Sequence, residues 1–245
     1  MDQIKIKLYE KYSSKANRAL VDTSILYVQK RITEKDKDTG KPKYNFGPAF
    51  LLQSIAECID NGFALDGINY VLSGNRMYMP TYKAFKNKIY MVYPESEIDL
   101  QLIREGDTYG FAKESGSVVY THEIADPFAD AEPKIKGAYC IIKNKRGEFL
   151  ETLNMSDYKA MRNGSKTPSL WDKWESEFWL KSVIKRACKR HFNDLTTALE
   201  EKDNEVIGLE EIVKASPDKK AAIIGANKVT NPKTALKIAQ QTIKE

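Results

Sequence analysis

The sequence has few of the residues and patterns that most often carry enzyme chemistry. Among its 245 residues there are two histidines, His122 and His191, and three scattered cysteines. Neither histidine lies near a cysteine at zinc-ligand spacing, and the cysteines form no CxxC pair. The phosphate-cradling pattern GxxxxGK(S/T) and the nucleophile pattern GxSxG are also missing. We therefore expect no catalytic residue, no metal ligand and no bound cofactor, and we assign neither histidine a role in proton transfer.

Long apolar segments are missing as well. No run of 18 apolar residues occurs, so no transmembrane helix is predicted. The first residues mix charged and apolar side chains and lack the apolar core of a signal peptide. The odd number of scattered cysteines is typical of reduced, buried thiols. These features predict a cytoplasmic protein.

What the sequence does contain is a folded-protein composition with surplus positive charge. Hydrophobic residues make up 42% and charged residues 30%, and the formal net charge is +5. The length is enough for one sizeable core with appendages or for two small domains. A mild basic excess is compatible with a polyanionic partner.

The hydrophobic patterns predict an α+β fold. Period-two alternation from Glu97 to Ile124 predicts an antiparallel meander of three strands, and a second hairpin is predicted around Asn144–Gly147. Helical patterns and turn signals occupy the N-terminal part. In chain order they predict a helix over 3–32, a mobile loop over 33–43, a helix over 49–61 after Pro48, a hairpin turning at Gly74–Asn75 and a basic helix from Tyr82 to about Tyr90.

The most informative segment is Trp171–Phe192. It contains neither Gly nor Pro and is predicted to form one helix of about six turns. Residues 181–192 include five basic residues and no acidic one. On a helical projection the apolar side carries Leu180, Val183, Ile184, Ala187 and Cys188. The opposite side carries Trp174, Phe178, Lys181, Lys185, Arg186 and Lys189.

This pairing of positive charge with flat rings suits single-stranded nucleic acid. Lysines and arginines neutralise phosphates, and aromatic rings stack on bases. Solvated lysines and packed aromatics would produce the same pattern, so the helix alone leaves both interpretations open.

The character of the chain changes after Phe192. Residues 193–213 contain seven acidic residues and one basic residue. We predict a core over 1–193, an acidic linker over 194–213 and a small helical tail over 214–245. The tail is a candidate dock for partner proteins.

Three segments in this order resemble the RecT family of phage single-strand annealing proteins. Met79–Phe85 is similar to the family's segment (F/I)-P-x-Y-K-G-(L/F), and Gly137–Lys143 followed by Met155–Tyr158 resembles its G-A-Y strand and the helix after it. Trp171–Lys189 resembles the family's aromatic and basic signature and keeps the sequence Lys-Ser-Val-Ile-Lys-Arg over 181–186. The likeness covers about residues 15–193.

The resemblance implies a protein that binds single-stranded DNA, assembles into rings or helical filaments and pairs complementary strands without ATP. It also implies a bacteriophage recombination and repair role in the cytoplasm of a bacterial host. A companion exonuclease and a single-strand-binding protein are the implied protein partners. Annealed duplex is the implied product, with Mg²⁺ at most a counter-ion of the DNA.

An annealing protein must hold the strand by its phosphates and leave the base edges free to pair. We expect three groups of side chains to do this, on the basic helix after Thr81, on the tip of the second hairpin and on the long helix. The predicted DNA-binding residues are Tyr82, Lys83, Lys86, Lys143, Lys145, Arg146, Trp174, Phe178, Lys181, Lys185, Arg186 and Lys189.

Two other functions compete with annealing. A metal-dependent DNA nuclease can be built from dispersed acids such as Asp126 with Asp130 or Glu148 with Glu151, although such pairs are usually solvated surface charges. An accessory factor that binds other recombination proteins through its tail is the third alternative.

Overall fold

The computed structural model describes residues 1–73, 77–114, 117–128, 130–165 and 168–199. Helices and small antiparallel sheets are packed together, which confirms the predicted α+β class. The helical tail over 214–245 and the acidic linker beyond residue 199 lie outside the described residues.

The N-terminal part consists of three helices: α1 (Asp2–Lys11), α2 (Lys15–Thr33) and α3 (Pro48–Asp60). The helical structure predicted over 3–32 is present as two helices, because the chain is extended at Tyr12 and α2 starts afresh. The Ser14 hydroxyl accepts a hydrogen bond from the Asn17 amide at 3.2 Å, which caps the new helix. The helical spacing of apolar residues continues across this break, so in the sequence only the capping residue Ser14 marks it.

The next elements agree with the sequence. Pro48 opens α3, and Gly62 follows the helix with φ 87°, as expected for a left-handed stop. Strands β1 (Tyr70–Ser73) and β2 (Met77–Pro80) form the predicted hairpin, whose turn residues 74–76 are not described. The Thr81 hydroxyl then caps α4 (Tyr82–Val92) by accepting from the Lys83 amide at 3.2 Å.

Five further strands form a three-stranded sheet and a separate hairpin. They are β3 (Glu97–Arg104), β4 (Thr108–Glu114), β5 (Ser117–Glu123), β6 (Ile135–Asn144) and β7 (Gly147–Asn154). The sheet order is β3-β6-β7, and β4 pairs only with β5 among the described strands. The β6–β7 hairpin confirms the prediction, but the meander was wrong because β3 pairs with β6 and not with β4.

The composition of β6 explains this topology. Its run from Ala138 to Ile142 is apolar on both faces, so the strand is stable only at the centre of a sheet with both faces covered. Ala138, Cys140 and Ile142 face the helices, and β3 matches them with Leu102, Leu100 and Ile98. Tyr139 and Ile141 face the opposite way and are covered by the β4–β5 hairpin through Val118, Phe111 and Tyr120. If β3 paired with β4 instead, β6 would lose one of the two neighbouring strands that make it the central strand.

The C-terminal part has α5 (Met155–Gly164), α6 (Pro168–Lys173) and α7 (Glu175–His191). The prediction of one helix over 171–192 was therefore wrong. The chain leaves helical geometry at Trp174 (φ −125°, ψ 43°). This break lets Trp171 stack on Phe178 at 4.6 Å between ring centroids, while Tyr158 stacks on Trp179 at 4.1 Å. Aromatic packing thus outweighs helix continuity here.

Trp179 is the largest fully buried side chain of the described residues, with no exposed surface. We expect Trp179→Ala to lower the free energy of unfolding by about 3–5 kcal/mol, because it removes core contacts and leaves a cavity. Trp174 is 54% exposed, and Trp174→Ala is the matched control, expected to cost less than about 1 kcal/mol. Urea denaturation measures both, and equal losses would contradict this assignment of core and surface.

A polar network attaches the β4–β5 hairpin to the sheet. His122 Nε2 lies 3.2 Å from Asp107 Oδ2, and both side chains are more than nine-tenths buried. Burial opposes ionisation of Asp107, but the amides of Arg104 and Ala125 and the His122 ring outweigh it and hold the pKa of Asp107 below its usual value. The ionised form is therefore the one that the fold stabilises.

This network makes the free energy of unfolding depend on pH in the acidic range. A carboxyl with a lowered pKa stabilises the fold above its unfolded pKa, and that contribution is lost as the pH falls through the lower, folded pKa. We expect Asp107→Asn to lower the free energy of unfolding at neutral pH by about 1–3 kcal/mol. Below the lowered, folded pKa of Asp107 the variant and the original protein should converge, because the carboxyl is then protonated in both states. Urea titrations across this range measure the difference, and a constant gap at all pH values would contradict the role of the charge.

Candidate nucleic-acid interface

Helix α7 is held on the helix-covered face of the sheet by one apolar side. Val183, Ile184, Ala187 and Cys188 are buried, as the sequence predicted. Leu180, predicted to belong to this side, is only half-buried and lines a groove beside β3. Trp179 occupies the first buried position instead. Its spacing of four residues from Val183 was a signal that the sequence analysis missed.

The arginines of α7 have structural partners. Arg186 Nη1 donates to Asp157 Oδ2 at 2.9 Å and to the Thr152 carbonyl at 3.1 Å. Arg190 Nη1 donates to Glu151 Oε2 at 2.7 Å, and His191 Nε2 lies 3.0 Å from Glu151 Oε1. Glu151 is 5% exposed, so these two contacts compensate a buried carboxylate. Arg186, predicted to bind DNA, thus contributes to fixing α7 against α5 and β7.

The lysines of α7 form a different stripe. Lys181, Lys185 and Lys189 are four residues apart and share one side of the helix. Lys189 is exposed, whereas Lys181 and Lys185 are half-buried and also interact within the molecule. This stripe is separate from the one that carries Arg186 and Arg190. The tertiary structure therefore divides the basic residues of α7 into arginines that hold α5 and β7 and a separate row of lysines.

Helix α4 packs against α7 and adds a second basic element. Lys83 is exposed and its Nζ lies 5.7 Å from the centre of the Tyr82 ring, and Lys86 Nζ lies 5.8 Å from the Tyr90 ring. Both are cation–π distances that keep the ammonium group beside an aromatic face. Tyr82, Lys83 and Lys86 all lie on α4, and their contact with DNA stays a prediction.

The tip of the β6–β7 hairpin reaches the ends of both helices. Tyr93, just after α4, and Phe192, just after α7, have ring centroids 6.2 Å apart. Lys145 Nζ lies 5.2 Å from the Tyr93 ring, and the Arg146 guanidinium carbon lies 5.1 Å from the Phe192 ring. The Arg146 Nη1 also lies 3.5 Å from Asp194 Oδ1. Two predicted residues of the tip are thus joined to α4 and α7 by rings that the sequence analysis did not select.

Lys143 is separated from this arrangement. Strand alternation places it on the sheet face that the β4–β5 hairpin covers, together with Tyr139 and Ile141. Its Nζ lies 3.5 Å from Glu148 Oε1, whose other oxygen accepts from the Val118 amide. Sequence proximity had grouped Lys143 with Lys145 and Arg146, but the pleat of β6 directs it to the other side.

The two predicted aromatic contacts also differ. Phe178 is half-buried and stacked on Trp171, so its ring already has a partner. Trp174 is exposed and has Lys173 Nζ at 5.7 Å from its ring. Of the two, Trp174 is the ring with free surface for a stacked base.

Three of the four acids considered for a nuclease have partners within the protein. Glu148 and Glu151 bind the partners given above. Asp126 Oδ1 accepts from the Phe128 amide at 2.9 Å. Within the part of the chain that the structure describes, no three His, Cys, Asp or Glu side chains are grouped so as to hold a metal ion. No helix in that part is long and apolar enough to cross a membrane.

The fold and this surface define an α+β protein with lysines and rings gathered on two packed helices and a hairpin tip. Comparison with known families then identifies the chain. The RecT family model matches residues 75–222, more than half of the sequence, and the protein belongs to the RecT family. It is thus a single-strand annealing protein of DNA recombination in the general sense of that family. No curated protein and no solved structure gives a significant match to the chain.

The division of α7 into arginine anchors and a separate row of lysines predicts different effects on stability. We expect Arg186→Ala to lower the free energy of unfolding by about 1–2 kcal/mol, because Asp157 and the Thr152 carbonyl lose a charged donor. Lys189→Ala, on an exposed position of the same helix, should change it by less than about 0.5 kcal/mol. Urea denaturation measures both variants. A loss for Lys189→Ala as large as that for Arg186→Ala would contradict the division.

Proposed function

We propose that this protein binds single-stranded DNA through its phosphates on the surface formed by α4, α7 and the β6–β7 tip, and that it pairs complementary strands without ATP. The observation that carries the proposal is the lysine stripe of α7, which is separate from the arginine anchors and belongs to a helix that packs against the basic helix α4. The lack of a nucleotide-cradling motif in the sequence supports independence from ATP.

The chemistry of the surface fits an annealing reaction. Lysine ammonium groups on flexible stems follow a strand of phosphates without demanding one geometry, and phosphate contacts carry no sequence information. The strand is then held while its base edges remain free to pair. Trp174 stacks on one base and separates it from the next. Mg²⁺ acts only as a counter-ion of the DNA, and the protein needs no cofactor.

The protein works as an oligomer, a ring or a helical filament, so that many copies hold one strand in register. The segment beyond residue 199 recruits a companion exonuclease and a single-strand-binding protein. The setting is phage recombination in the cytoplasm of a bacterial host. Family membership supports these statements, and the described residues leave the subunit number open.

Replacement of two lysines of the α7 stripe tests the site. Lys181→Ala with Lys185→Ala should remove two phosphate contacts. The magnitude of the slope of log K against log salt concentration should therefore fall by about 1.4. Affinity for an oligothymidylate should fall roughly 10-fold near 0.1 M salt. Fluorescence anisotropy of labelled oligonucleotide, titrated at several salt concentrations, measures both quantities.

The control is Lys134→Ala with Lys136→Ala. Both lysines are exposed near the start of β6, away from α4 and the hairpin tip, and their loss changes the net charge equally. The control should keep the original affinity. If it loses as much as the α7 variant, binding depends on total charge and the proposed surface is wrong.

The reaction itself separates annealing from the nuclease alternative. Two complementary labelled oligonucleotides are incubated with the protein and a chelator, without ATP. The protein should increase the rate at which they form duplex, which is detected on a gel by its lower mobility. Shortened products on adding Mg²⁺ or Mn²⁺ would instead favour a nuclease. Electron microscopy after adding the two oligonucleotides in sequence tests for rings or filaments.

A further inference from the structure

A second basic feature lies in the N-terminal part, outside the span that the family model matches. We call residues 35–43, between α2 and α3, the lysine turn. The sequence predicts a mobile loop here, and mobility stays a prediction, but the structure gives the segment a defined backbone arrangement. Lys35 and Pro42 form an antiparallel bridge. The Asp36 amide donates to the Lys41 carbonyl, and the Lys43 amide donates to the Glu34 carbonyl, both at 2.8 Å.

One carboxylate organises the end of the turn. Asp36 Oδ1 accepts from the Thr39 amide at 2.9 Å, from the Thr39 hydroxyl at 2.9 Å and from the Asp38 amide at 3.2 Å. The bond from the Thr39 amide is the main cause that holds the pKa of Asp36 below its usual value. Gly40 closes the turn with φ 65°, a conformation that glycine adopts without strain. Hydrogen bonds therefore hold the turn without an apolar core of its own.

Arg31 attaches the lysine turn to the rest of the molecule. Its guanidinium donates to Glu34 at 2.8 Å, to the Tyr44 hydroxyl at 2.7 Å and to the Leu72 carbonyl of β1 at 3.4 Å. Tyr44 continues into a stack with Phe46, whose ring centroid lies 5.5 Å away. The turn is thus fixed to α2 and to the β1–β2 hairpin, and β2 leads directly into α4.

Ammonium groups outnumber carboxylates on the exposed side of the turn, where Asp38 is the one exposed acid. Lys35, Lys37, Lys41 and Lys43 are all exposed. The nearby Glu34 is bound by Arg31, and Asp36 is occupied by the turn itself. No residue from 35 to 43 is aromatic or large and aliphatic. Protein interfaces are depleted in lysine and enriched in aromatics at their centres, so this composition disfavours a protein partner and favours phosphates.

We infer that the lysine turn is a second contact for the DNA backbone, which extends the path of the strand beyond α4 and α7. The inference rests on the proposed function. The Arg31 anchor of the turn contacts β1 at Leu72, and β2 of the same hairpin leads into α4. A strand of DNA bound at α4 therefore reaches the turn only if it continues past the β1–β2 hairpin. Because hydrogen bonds already fix the turn, it loses little conformational entropy on binding.

The test compares oligothymidylates of two lengths in the full-length protein. Lys37→Ala with Lys41→Ala should leave affinity for a short oligonucleotide near the original, because α4 and α7 alone accommodate it. Affinity for a long oligonucleotide should fall roughly 10-fold near 0.1 M salt, with the salt slope lowered by about 1.4. Lys37→Arg with Lys41→Arg keeps the charge and should restore binding.

The matched control is Lys7→Ala with Lys15→Ala, two exposed lysines of α1 and α2 that lie outside the turn. It should bind both lengths like the original protein. If the lysine-turn variant behaves like this control, the inference is wrong and the proposed function stands. If the original protein binds neither length, the proposed function fails and the inference fails with it.

Self-association, measured by light scattering on the same samples, supplies a further outcome. A lysine-turn variant that keeps its affinity for DNA but loses self-association would show that the turn contacts an acidic surface of another copy. That result would overturn the inference.

Discussion

The packing of α7 on one face of the β3-β6-β7 sheet is the constraint on which the rest of the structure depends. Cys140 and Ile142 of β6 need a cover, and Val183, Ile184 and Ala187 provide it. Two buried features fix the position of the helix along the sheet. The Trp179 ring stacks on Tyr158 near its start, and Glu151 binds Arg190 and His191 at its end. Apolar burial supplies most of the stabilisation, and the paired carboxylate specifies one register.

This anchoring gives the surface its chemical character. Because Arg186 and Arg190 turn toward α5 and β7, the lysine stripe of the same helix is left on another side. Arginine suits the anchoring positions because its planar fork binds two acceptors in a fixed geometry. Lysine suits a surface that must follow a flexible strand. The rings of Tyr93 and Phe192 extend this surface to the β6–β7 tip, and the lysine turn lies at the far end of the β1–β2 hairpin from α4.

The sequence predicted much of the local structure for identifiable reasons. Pro48 and Gly62 marked the ends of α3, and Asn144–Gly147 marked the turn between β6 and β7. Prediction from the sequence failed where contacts between distant parts of the chain decide the structure. Period-two alternation shows that Leu100 and Phe111 lie in strands, but it does not show that β3 pairs with β6. Helical periodicity continues through Trp174, although aromatic stacking breaks the helix there. In the site, Lys145 and Arg146 of the turn lie over the rings of Tyr93 and Phe192, whereas Lys143 lies within β6, where the pleat of the strand directs it to the other face.

The sequence by itself determined the class of the fold, the family and the basic character of α4 and α7, because these follow from periodicity, motif order and residue type. Only the tertiary structure decided which partners each cation of α7 takes. Arg186 and Lys185 are neighbours of equal charge in the chain, and they differ only in what the folded sheet and α5 bring to each. That difference arises from contacts between residues about thirty positions apart, such as Arg186 with Asp157, and local sequence carries no record of such contacts.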